Sequence, residues 1–327
     1  MTVVRYSGRD TEIAVRKETN WGTDPGSGEF SPGKLLDATL RFGNNLQTFR
    51  GMGTGSLNIA DIVAGGYDVG GSMRVNIRTG QLLEGVLGDS TYSTSKHTFA
   101  GTTTTIPSWT MIFNKTTAAT DDVDNVTGCF ITSISLNQTL NGVLTASIEF
   151  IGKKNTNATT AVNVTESTEA MPNWDGAVLT WNSADVLKLQ SVTLGITINY
   201  QIDRSLSNRF IEEPIPIGRD FKITPSFKLN TTDRVSMKQD AMTLGETAKT
   251  GADGPWDNSD SADMNLRTAV VKFVRESGVK EFRFTMANCA VFDYSETSSE
   301  NDTVNVNATI SGKSMSAEVW DGVESDY

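Results

Sequence analysis

The chain has 327 residues, 37% of them hydrophobic and 20% charged, which suits a folded protein of one large β domain or two ordinary ones. Its formal net charge is −11, the opposite of the basic balance with which proteins grip phosphates without regard to sequence. The single histidine excludes every multi-histidine metal centre, and two cysteines are too few for a disulfide framework.

In chain order, the start Met1–Gly8 lacks a basic stretch leading into an apolar core, so no secretory signal is expected there. No apolar run approaches the roughly 18–20 residues of a membrane helix, so no membrane partner is expected. Residues 1–35 read as an N-terminal arm and first strand, with Arg16 to Lys34 extended around Trp21-Gly22-Thr23-Asp24-Pro25-Gly26. Leu36, Ala38, Leu40 and Phe42 then alternate with other residues, the period of a half-buried strand. Gln81 to Leu87 is a short helix stopping at Gly88, a residue suited to a left-handed cap. Leu144, Ala146, Ile148 and Phe150 mark the next strand. Residues 155–184 are rich in Thr and Asn, with a Pro-Asn-Trp-Asp-Gly turn at 172–176, and read as a linker. Val192 to Tyr200 alternates over nine residues, and Phe221, Ile223 and Phe227 extend the pattern. Val235 to Leu244, ending at Gly245, reads as a second short helix, and Val304, Val306, Ala308 and Ile310 as the last strand. Strands with one apolar and one polar face belong to antiparallel sandwiches or barrels. The expected class is therefore all-β with one or two short helices.

A shift of 160 residues sets Phe113 on Phe273, Cys129 on Cys289, Leu144 to Phe150 on Val304 to Ile310, and Gly152-Lys153 on Gly312-Lys313. Gly88 meets Gly245 at a shift of 157. An internal duplication explains this order, with chance likeness between β-rich segments as the alternative. Two tandem domains follow, 36–154 and 185–327. Cysteines at equivalent places in two domains lie beyond the roughly 7 Å Cα limit of a disulfide. Cys129 and Cys289 are expected as free, buried thiols.

No set of residues reads as an active site. His97 lies in a Ser/Thr-rich stretch without a triad's fixed neighbours and is expected to be a solvated side chain. Gly51-Met52-Gly53-Thr54-Gly55 lacks both phosphate-loop patterns. Asp257 to Asp263 resembles a calcium loop, but Ala262 and Thr268 stand where glycine and glutamate are needed. The expectation is no enzyme, no metal and no cofactor.

The order of motifs resembles the tail tube proteins of long-tailed, siphovirus-like viruses of bacteria and archaea. Those proteins carry a charged strand, Glu-Thr, an aromatic and Gly-Thr, found here as Ala14 to Thr23. A Gly-Ser strand and a Leu-rich helix ending in Leu-Gly follow, here Tyr67 to Met73 and Leu82 to Gly88. A glycine-led strand pair comes next, here Gly128 to Leu136 and then Gly142 to Lys153, and an Asn-centred turn, here Ile198 to Gln201. The Asn-Asn that usually follows the later strand is not preserved. The resemblance implies two tube-type β-sandwich domains whose inner sheets join neighbours in a shared inter-subunit β-barrel. It implies a virion protein, made in the host cytoplasm, forming homotrimeric pseudo-hexameric rings or, alternatively, homohexamers. The rings stack, meet tape measure and terminator proteins, and let viral DNA pass without tight binding. Phe49, Met52, Ile59, Ile62, Phe210, Ile211 and Ile215 are the candidate inter-ring or inter-subunit residues, in loops 43–70 and 203–220. Thr145, Ser147, Glu149, Thr193, Thr197, Asn305 and Asn307 are the candidate lumen-facing residues. Alternative readings are an injection-device inner tube, a baseplate protein, or a carbohydrate-binding adhesin using Trp109, Trp174, Trp181 and Trp256.

Overall fold

Strands account for nearly all regular structure in the computed structural model, which describes residues 11–49, 59, 61–102, 105–116, 121–164, 166–167, 169–173, 176–186, 188–206, 208–229, 237–238, 240–241, 266–275, 280–298 and 303–321. The first part of the chain forms β1 (Thr11–Lys17), β2 (Gly33–Asn44), β3 (Gln47–Phe49), β4 (Asp61–Val63) and β5 (Tyr67–Ile77). A short helix α1 (Glu84–Leu87) follows, then β6 (Ser90–Ser93), β7 (Lys96–Phe99), β8 (Trp109–Thr116), β9 (Asp121–Thr139), β10 (Thr145–Gly152) and β11 (Lys154–Ala158). The second part forms β12 (Ala177–Trp181), β13 (Ala184–Asp185), β14 (Leu189–Gln201), β15 (Ile215–Lys228), β16 (Arg267–Val274), β17 (Glu281–Thr297) and β18 (Asn305–Val319). The fold is all-β and antiparallel, as the alternation predicts. The stretch read as a linker carries most of β11 and all of β12.

One pairing order occurs twice. Strands β1, β8, β9, β10, β5 and β2 lie side by side, and so do β12, β16, β17, β18, β15 and β14. The two rows share irregularities that the order alone does not require. Registers shift between Leu35 and Asp37 in β2 and between Leu189 and Ser191 in β14. They shift again around Thr132 in β9 and between Val291 and Asp293 in β17. The cysteines mark equivalent places in this scheme. The β8 ladder on β9 reaches Cys129, and the β16 ladder on β17 reaches Cys289. The residue before each has a left-handed backbone, Gly128 at φ 69° and Asn288 at φ 54°. Each Sγ donates to the carbonyl three residues back, Val126 at 3.3 Å and Met286 at 3.0 Å. Gly152 and Gly312 lie against the two sulfurs, where a Cβ would come within 3.3 and 3.1 Å. Both thiols are free and buried. Burial pushes the Cys289 thiol up to about 11 and the Cys129 thiol well above its ordinary value.

Past its kink β9 changes layers, and β17 past its own kink leaves β16 while staying on β18. The front half of β9 pairs with β8 and β11, and its rear half with β10 and β14. A single strand thus serves two sheets, with the apolar core between them. Phe113 of one layer stacks on Phe150 of the other at 6.1 Å between ring centres. Leu82, Leu83, Val86 and Leu87 are fully buried where α1 crosses both β9 and β14. Glu84 fastens α1 to the first strand through Lys17 at 2.6 Å. Asp240 fastens the second half in the same way, accepting from Trp181 Nε1 of β12 at 2.8 Å and pairing with Arg267 at 3.0 Å. Most of Val235–Leu244 lies outside the described residues, as do Gly51–Gly55 and Asp257–Asp263.

Two segments differ from the expectations drawn from their composition. The stretch after β1 folds back on it, with Val15 and Phe30 exchanging backbone hydrogen bonds of 2.9 and 3.0 Å. Glu18 is buried there and accepts from the Gly22 and Gly128 amides and the Ser108 and Thr110 hydroxyls, all within 2.7–2.8 Å. His97 is not solvated. It is fully buried in β7, because the β6–β7 hairpin adds to the end of β18, and its Nε2 lies 3.6 Å from Asp321.

Candidate functional site

The seven candidate lumen residues fall on one polar face of a continuous sheet. Side chains alternate between faces along a strand, so residues directly paired across a ladder share a side. Thr145 pairs with Asn137, which pairs with Thr193. Ser147 and Glu149 pair with Ser135 and Ser133, and Ser133 with Thr197. Asn305 and Asn307 join through Lys228 and Ser226 of β15. Asn137 Nδ2 donates to Thr193 Oγ1 at 2.9 Å, tying the two halves on this face.

Charge on these rows nearly cancels. Asp37, Glu149 and Asp220 share them with Lys34, Arg74, Lys222 and Lys228, and Asp37 pairs directly with Arg74. Arg74 and Asp37 form an ion pair at 2.6 Å. A chain with a net charge of −11 therefore presents a near-neutral hydroxyl- and amide-rich surface here. The opposite face carries Ile134, Leu136, Ile148, Phe150, Leu194, Ile196, Ile223 and Ile310, all buried.

The candidate contact loops meet one another at one end of this sheet. Phe49 and Ile62 sit in the small β3–β4 hairpin and are more than half exposed. Ile59 and Ile215 are exposed as well, and Met52 lies outside the described residues. Phe210 packs edge-on against Tyr67 at 5.7 Å, while Ile211 is buried. The Tyr67 amide donates to the Arg209 carbonyl at 2.7 Å, Arg209 Nε to the Gly65 carbonyl at 3.1 Å, and Arg204 pairs with Asp68. Ile202 and Ile211 line a cavity of about 570 Å3 with Phe42, Thr132 and Phe150. Loops 43–70 and 203–220 are expected at matching places in the two halves, and the sequence does not show that they bind each other. The arginines that join them carry no local signal, because their acceptors lie in the other half of the chain.

Among the described residues, no cluster of His, Cys, Asp and Glu could hold a metal ion. No helix among them is long and apolar enough to cross a membrane. Trp109 and Trp181, read as possible sugar platforms, are buried, and Trp174 and Trp256 lie outside the described residues.

A family model described as phage tail tube protein matches residues 8–312, most of the chain. The chain belongs to the phage tail tube protein family. The family is structural rather than enzymatic, and it makes this tail tube protein a component of the virion tail. Among solved structures, the chain is similar to the anti-feeding prophage cap, described as the tube terminating cap. That likeness has 12% identity and a TM-score of 0.34, over 49% of this chain and 95% of the cap chain. No curated protein matches the sequence.

Proposed function

We propose that this tail tube protein forms rings that stack around a channel for viral DNA in a long-tailed virus of bacteria or archaea. The observation that carries the reading is the polar face running without interruption across both halves of the chain. Lining a channel, it offers duplex DNA hydroxyls, amides and paired charges rather than the basic patch that holds phosphates. The repeated strand order supports two tandem tube units per chain, one before and one after residues 155–184. Three chains then supply six units and close a barrel, which leaves no sheet edge open to water. Rings stack through the β3–β4 hairpin and the 203–220 loop, where Phe49 and Ile62 are exposed. Tape measure and terminator proteins are the partners within the channel and at its end.

Cryo-electron microscopy of the purified protein across a concentration series tests the proposal. The expected result is threefold rings with six similar lobes, together with longer stacks. Sixfold rings of twelve lobes support the hexameric alternative, and a chain that stays a compact monomer at high concentration refutes the proposal. The assembled tubes are expected to bind duplex DNA no better at 50 mM than at 200 mM salt. Tight, steeply salt-dependent binding contradicts a non-gripping lumen.

A further inference from the structure

The joint between the two halves of the chain has a counterpart that one chain cannot complete by itself. Within the chain, β14 lies on the rear of β9 in register from Ser191–Thr139 to Thr197–Ser133. β2 occupies the place of β14 in the first row: last in order, with its register shift near its start. The rear of β17 occupies the place of the rear of β9, beyond the same bulge and the same cysteine. Among the described residues, β2 pairs on one edge only, with β5.

We infer that β2 of one copy pairs with the rear of β17 of a second copy, in the register that β14 adopts on β9. The inference rests on the ring reading above and names the strands and residues that make the ring. Counting from the bulges gives the partners. Thr193 lies two residues past Ser191 as Thr39 lies two past Asp37, and Asn137 lies five past Thr132 as Thr297 lies five past Phe292. Since Thr193 faces Asn137, Thr39 faces Thr297. Arg41 then faces Ser295, within diagonal reach of Asp293, and Phe42 faces Tyr294 as an aromatic cross-strand pair.

Both surfaces fit this occupant. Phe42 is 59% exposed on a strand whose alternation marks it for burial. Phe292 is 72% exposed, while its equivalent, Thr132, lines the cavity beneath Ile202 and Ile211 of the other half. In a second copy, the loop following β2 covers Phe292 in the same way. Lys238, Ala241, Asp293, Tyr294 and Glu296 border a groove of about 390 Å3 beside the rear of β17, whose counterpart in the first half, the rear of β9, lies with β14 against α1.

Disulfide trapping tests the register. Thr39 and Thr297 are exposed in the single chain, so Thr39→Cys with Thr297→Cys leaves the fold intact. Oxidation is expected to link most of this variant into multimers that a reductant dissolves. Asn137→Cys with Thr193→Cys closes within one chain and reports that such a joint can be bridged. Thr39→Cys with Asp293→Cys, offset by four residues or about 13 Å, gives no link. Rings by microscopy without the Thr39–Thr297 link, while Asn137–Thr193 closes, overturn the register and leave the ring reading standing. A wild-type chain that never forms rings overturns both. Phe292→Asp is expected to raise the concentration needed for rings at least tenfold with unchanged monomer melting, and rings at the wild-type concentration count against the packing.

Discussion

Asp24 sits 3.0 Å from the Arg16 guanidinium and also accepts from the Gly26 amide and the Asn125 side chain. Burial by itself raises its carboxyl pKa, but these hydrogen bonds and the Arg16 charge outweigh burial and hold it below the ordinary 3.8. Because the folded value lies below the unfolded one, its stabilisation is complete above about pH 4 and is lost as pH falls through the folded value. Asp24→Asn is therefore expected to lower the urea midpoint at pH 7, with the gap to wild type closing as the solution is acidified. Glu18 shows why such contacts are hard to read from sequence. Its position in a Glu-Thr-x-Trp motif was legible through resemblance, but its donors come from Ser108, Thr110 and Gly128, far along the chain. His97 was misplaced for the same reason, since what buries it is the end of β18.

Period-two alternation located β2, β10, β14 and β18; the apolar faces of β10, β14 and β18 are buried as the alternation predicts, whereas Leu36, Ala38 and Phe42 of β2 are exposed in the single chain. It missed β11 and the β6–β7 hairpin, whose Ser, Thr and Asn residues show almost no apolar alternation. It also understated β9, which continues through a kink at Gly128 and changes partners there. The helix at Gln81–Leu87 was legible, though its first turn is a 3₁₀ turn at Gln81–Leu83. Its role was not, because the surface it covers is built from β9 and β14, which lie in different halves of the sequence. A Cβ on Gly85 would come 2.5 Å from Ile131 Cδ1 and 3.0 Å from Trp109 Nε1. Gly85→Val is thus expected to cost about 1–3 kcal/mol by overpacking, measured as a lower urea midpoint. Wild-type stability in that variant means α1 can lift without consequence for the joint beneath it.

At the scale of the molecule, the polar face and the contact loops take different parts in the proposed assembly: the face lines the inside of one ring, and the β3–β4 hairpin meets the next ring. Deleting residues 51–65 removes β4 and leaves the ladders of the large sheet in place. The expected product is a soluble chain that forms single rings without stacks, and unchanged tubes by electron microscopy reject that assignment of the loop. That the seven polar residues share one face was legible, because polar positions of strands on a common sheet must share a side. The mutual binding of the two loops was not, since it depends on Arg204 and Arg209 reaching residues of the first half.

The β14–β9 seam is covalently guaranteed: its two strands belong to one polypeptide and meet at a local concentration no dilution can lower. Such a seam can be aliphatic on its core-facing side, as Ile196 against Ile134 and Leu194 against Leu136 are. A border that must wait in water for a stranger has no such licence. The positions corresponding to Ile134 and Leu136 on β17 are Tyr294 and Glu296, and Arg41 and Asp293 stand on the polar side of the same border, side chains that keep an unassembled subunit dispersed until its neighbour arrives.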